Sequence, residues 1–98
     1  MTYEVSVPLV KFLGGVIWRK VTVEATDPRD AVCHAIPEAI TMARAEGKRI
    51  HTFPPPHPES LEIMVTDERK RRYPIPSIIG YAWAAGSKYD MVTWSRPI

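Results

Sequence analysis

The sequence predicts an α+β fold: an antiparallel sheet with one long helix packed on one face, opening in ββα order and continued by additional strands. Three observations predict it. Residues 2–10 and 16–25 alternate apolar with polar side chains, the period of a half-buried strand. Residues 28–46 carry an apolar stripe of helical period that stops at Gly47. Alternation resumes over Leu61, Ile63 and Val65.

Each element follows from local chemistry. In the first strand Tyr3, Val5, Val7 and Leu9 share one face and Glu4 and Ser6 the other. Pro8 has no N–H for a ladder, so this strand is expected at a sheet edge or with that position turned outward. Gly14-Gly15 is a permissive turn pair that joins it to the second strand as a hairpin. The second strand places Ile17, Val21, Val23 and Ala25 on one side, interrupted by Arg19, and Trp18, Lys20, Thr22 and Glu24 on the other.

Asp27 suits the helix N-cap, Pro28 the first helical position, and Asp30 the positive end of the helix dipole. Ala31, Val32, Ala35, Ile36, Ala39, Ile40 and Ala43 then make one face, rich enough in alanine for close approach to a sheet. Pro37 lies inside this segment and cannot donate to the Cys33 carbonyl, so a kinked helix is expected rather than two helices, because the stripe keeps its phase.

Beyond Gly47, residues 48–53 read as a short extended piece and Pro54–Pro58 as a polyproline-like connection. A strand at 61–66, a polar tip at 67–70 and a returning strand at 71–75 follow. Residues 77–86 fit a short helix, with Ser77 as cap and Gly86 as stop, and fit a strand too, because Tyr81 and Trp83 alternate with small residues; helix is slightly favoured. Met91–Trp94 reads as a final strand.

Ninety-eight residues support a single domain, 1–98. The formal net charge of +2 is too small to define a nucleic-acid binder. One cysteine excludes an internal disulfide and suits a cytoplasmic location. The first ten residues lack a basic leader and a long apolar run, and no apolar stretch reaches the length of a membrane span, so neither a signal peptide nor a membrane partner is expected.

Cys33, His34, His51 and His57 lack the spacing of a zinc site, and neighbours on a helix project about 100° apart. Cys33 sits near a helix N-terminus, which lowers a thiol pKa, but no oxyanion donors accompany it. No catalytic group, metal or cofactor is therefore expected. The sharpest feature is Arg69-Lys70-Arg71-Arg72 with Tyr73 beside it. Such a run can grip phosphates while the ring stacks on a base, or pair with acidic groups of a protein, or stand as a solvated tip partly neutralised by Asp67 and Glu68. Lys48, Arg49 and His51 extend it if the fold brings them near. Trp18, turned away from the helix, is the best aromatic anchor, whereas Trp83 and Trp94 suit core packing. The binding set is thus Trp18, Arg69, Lys70, Arg71, Arg72 and Tyr73.

The run DPRDAVCHAIPEAITMARAEGKRI, with Asp27-x-x-Asp30-Ala31 leading to Gly47 and a proline-rich exit, resembles a strand–helix unit of HicB-like antitoxins over residues 21–50. That resemblance implies a nucleic-acid-binding regulator. The general make-up, one short α+β domain with one cysteine, is similar to small phage-encoded inhibitors of the anti-CRISPR type. This second resemblance implies a non-enzymatic protein in the host cytoplasm that occupies a host protein or ribonucleoprotein complex and blocks its nucleic-acid binding. Homo-oligomerisation stays open.

Overall fold

The computed structural model describes residues 1–50 and 61–85. Its elements are β1 (Thr2–Val10), β2 (Val16–Glu24), α1 (Pro28–Ala45), β3 (Glu62–Thr66), β4 (Arg72–Pro76) and α2 (Ser77–Ala84). The strands form one antiparallel sheet in the order β2-β1-β3-β4. The polyproline-like stretch, the strand expected at Met91–Trp94, and His51, His57, Gly86 and Trp94 lie outside the described residues.

The helix ends are built as their residues dictate. The Asp27 carboxylate accepts the Asp30 N–H at 2.8 Å, and the Asp30 carboxylate reaches back to the Thr26 N–H at 3.0 Å. These bonds satisfy the Asp30 amide of the first turn and the Thr26 amide just before the cap. At the other end Lys48 N–H donates to Ala43 O and Gly47 N–H to Arg44 O, at 3.1 and 3.0 Å, with Gly47 at φ 86°. That paired closure requires a left-handed residue, which glycine adopts without steric cost. α1 runs unbroken through Pro37, whose ring is exposed. Its buried residues are the seven of the expected stripe. They cover Val5 and Val7 of β1, Val21 and Val23 of β2, and Ile63 and Val65 of β3 in one core cluster. Each buried Val or Ile there stabilises by about 1.5–3 kcal/mol.

β1 is an interior strand, which corrects the edge position expected from Pro8. Hydrogen bonds between Met1 and Ala25 in both directions, and from Lys11 N–H to Gly15 O, show that odd-numbered residues of β1 turn their backbone groups to β2. Pro8 is even-numbered, so its missing N–H faces the β3 side. The β1–β3 ladder stops at Ser6 opposite Met64, two residues earlier. The proline therefore removes no ladder bond, and its carbonyl accepts the Tyr81 hydroxyl at 2.5 Å. Burial raises the Tyr81 hydroxyl pKa strongly, so it stays a donor.

Residues 77–84 are helical, the favoured of the two readings. The cap differs from expectation: Pro76 is the N-cap, and the Ser77 hydroxyl donates to Leu61 O at 3.0 Å. α2 packs on the same side as α1 because Gly80 lets it approach β3 closely. A Cβ there would stand 2.4 Å from Ile63 Cδ1 and 3.1 Å from Val32 Cγ1.

Candidate functional site

All four residues of the basic run are exposed, and Arg71 among them is paired with Asp67. Asp67 follows Thr66 in the parity of Ile63 and Val65 and is only 4% exposed. Its Oδ1 accepts the backbone N–H groups of Arg69 and Arg71, each at 2.9 Å. Its Oδ2 accepts Arg71 Nε at 2.8 Å and the Tyr73 hydroxyl at 3.1 Å. Burial pushes the Asp67 carboxyl up, but these donors together outweigh it and hold the group below the ordinary aspartate range. Arg71 is held charged by hydrogen bonding and attraction to the same carboxylate.

Tyr73 is half-buried against the core, with its hydroxyl committed to Asp67. Arg69, Lys70 and Arg72 are exposed, and none has an ionic partner among the described residues. Lys70 adopts φ 66° at the turn.

Lys48 and Arg49 do not extend this patch. β1 is nine residues long, so at about 3.3 Å per residue its ends stand about 30 Å apart. The β3–β4 turn lies at the Thr2 end, where the Thr2 N–H donates to Glu68 Oε1 at 2.6 Å. Lys48 and Arg49 lie at the Lys11 end, where Lys11 bridges Ile50 and Phe12 N–H donates to Arg49 O at 3.1 Å. Trp18 opposes Pro8 in the β1–β2 ladder, nearer the Lys11 end and on the opposite edge strand from Arg72. The residues read together as a binding set therefore divide between two ends of the sheet.

A different group does converge. The hairpin from Lys11 to Gly15 closes through Gly14 N–H to Lys11 O at 3.0 Å, with Gly14 and Gly15 at φ 95° and 88°. The glycines absorb the reversal in a backbone region that a side chain would strain, and Phe12 and Leu13 are left at the apex. Leu13 is fully exposed, at 101%, and Phe12 and Trp18 are 54% and 45% exposed, with Val16 at 36% between them. Of six large apolar residues exposed among the described residues, these four fall within positions 12–18. Lys11, Lys48 and Arg49 line a shallow groove of about 310 Å³ with Phe12, Leu13 and Gly47. Arg44 steadies the crossing chain by donating to Ile50 O at 3.1 Å.

Arg19, which interrupts the apolar side of β2, is bound rather than free. Its guanidinium forms a two-armed ion pair with Glu46, the C-cap of α1, and its Nη1 donates to Trp18 O at 2.7 Å. Burial pushes the Cys33 thiol up, with Asp30 and Asp27 adding to that and Arg29 opposing it, contrary to the lowering expected from its helix position. His34 is exposed and stands 3.3 Å from Asp30.

The class defined by this architecture is a small α+β protein with an exposed hairpin apex. The chain matches no family model, no curated protein and no solved structure.

Proposed function

We propose that the chain is a non-enzymatic binding protein that docks through the β1–β2 hairpin apex onto an acidic surface of a macromolecular partner. The observation that carries this reading is the concentration of exposed apolar side chains at positions 12–18, with Lys11, Lys48 and Arg49 lining a groove beside Phe12 and Leu13. Scattered exposed apolar residues are ordinary, but four of them within seven positions of one hairpin favour a contact surface. Leu13 and Trp18 supply the area that is desolvated on docking, and the basic side chains steer and orient the encounter. The resemblance to phage-encoded inhibitors of the anti-CRISPR type makes a host nucleic-acid-binding complex the partner, with inhibition by occupancy.

A second reading rests on the other end of the sheet. Arg69, Lys70 and Arg72 stand exposed and without ionic partners among the described residues, as phosphate contacts of an antitoxin-type regulator would.

Affinity capture from a host lysate separates the two. Leu13→Asp with Lys48→Glu and Arg49→Glu is expected to abolish capture of a protein complex that the unaltered chain retains. Arg69→Glu with Lys70→Glu and Arg72→Glu is expected to leave it intact. The opposite pattern, with direct nucleic-acid binding that collapses as salt rises, supports the second reading and sinks the first.

A further inference from the structure

The two edges of the sheet are not equivalent. β4 carries Pro74 and Pro76, which withhold N–H groups and blunt that edge. β2 forms the other edge over nine residues and contains no proline. Its odd-numbered residues turn their backbone groups to β1, as the Ala25 and Gly15 hydrogen bonds show, so Lys20, Thr22 and Glu24 direct theirs away from the sheet. All three residues are exposed, and these backbone groups have no partner among the described residues. An open run of this kind is a template for another strand.

We propose that β2 is a dimerisation edge on which a second copy of this chain pairs antiparallel, with the two-fold axis at Thr22. The sequence itself selects this occupant and register. Registers that let the outward-directed groups meet place the axis on one residue of the strand. An axis at Lys20 sets Lys20 against Lys20 of the second copy, and like charges directly opposite are destabilising. An axis at Val21 leaves Lys20 opposite Thr22. An axis at Thr22 sets Lys20 opposite Glu24 of the second copy, twice by symmetry, with Thr22 facing Thr22 and Val21 facing Val23.

Thr22, Lys20 and Glu24 all occupy positions where antiparallel partners exchange both backbone hydrogen bonds. The Lys20 side chain now stands 3.5 Å from Glu4 and is largely solvent-exposed, so it is free to reach across the new seam. Toward the hairpin the ladder ends by itself, because the Trp18 carbonyl is already taken by Arg19. The two-fold axis runs perpendicular to the sheet, so all helices remain on one side of a continuous layer and both hairpin apices stay open.

Light scattering across a concentration series from micromolar to millimolar tests the dimer. The unaltered chain is expected to reach a mass twice 11.1 kDa. Thr22→Pro removes an N–H that faces solvent in the monomer, so it is expected to give a monomer with unchanged far-ultraviolet circular dichroism. Lys20→Glu puts like charges opposite at two places and is expected to weaken association about tenfold or more. Adding Glu24→Lys to Lys20→Glu is expected to restore it, an arm that decides the matter even if the proline variant fails to fold. A monomeric mass at every concentration overturns the proposal, as does a dimer indifferent to Lys20→Glu.

Discussion

Asp67 closes the β3–β4 turn with four hydrogen bonds, and its titration carries a pH dependence. The carboxyl is held below its unfolded value of about 3.9. A group depressed by folding contributes its stability in full above the unfolded pKa and loses it as pH falls through the folded one. The thermal midpoint of the unaltered chain is therefore expected to drop on acidification below about pH 4. Asp67→Asn is expected to melt lower at neutral pH and to show a flatter acid limb, so the two curves converge; parallel curves would refute the assignment. The parity of positions 63, 65, 67, 71 and 73 was available in the sequence, and it would have placed Arg71 and Tyr73 beside Asp67. Charge density concealed it, because the seven polar or aromatic residues from Asp67 to Tyr73 look alike until alternation sorts them into two faces.

At the scale of elements, α2 depends on the absence of a side chain at Gly80. Alanine there gains about 1 kcal/mol of helix propensity but forces Ile63 Cδ1 aside in a filled core, an overpacking that costs about 1–3 kcal/mol. Ile63→Val deletes that methyl and alone costs about 0.5–1.5 kcal/mol. In denaturant titrations the double variant is expected to be more stable than the sum of the single effects by about 1 kcal/mol, since the two groups collide. Strict additivity would show that α2 does not press on β3 there. Residues 77–86 favour a helix over a strand only slightly, because a short stretch of nearly uniform hydrophobicity defines neither period. α1 was readable to its last turn because caps, stripe and terminal glycine all agreed.

Across the whole molecule one core cluster joins residues from the sheet, α1 and α2. The expected consequence is a single cooperative transition, with tryptophan fluorescence and far-ultraviolet circular dichroism giving coincident midpoints on heating. Separate midpoints would mean that α2, which carries Trp83, melts apart from the sheet. Trp83 is tied in by the Arg29 guanidinium, 5.1 Å from its ring centroid, so α2 and the first turn of α1 are coupled directly.

The order of residues is enough to specify the α+β class, the ββα opening, both ends of α1, its buried face and the outward position of Trp18. All of these follow from spacing and from residues that act on their near neighbours. The folded arrangement was needed to show that β1 is interior, that Arg71 of the basic run is paired with Asp67, and that Lys48 and Arg49 join Phe12 and Leu13 at the other end of the sheet. Strand order is set by contacts between residues far apart in the chain, and local periodicity contains no record of which strand lies beside which.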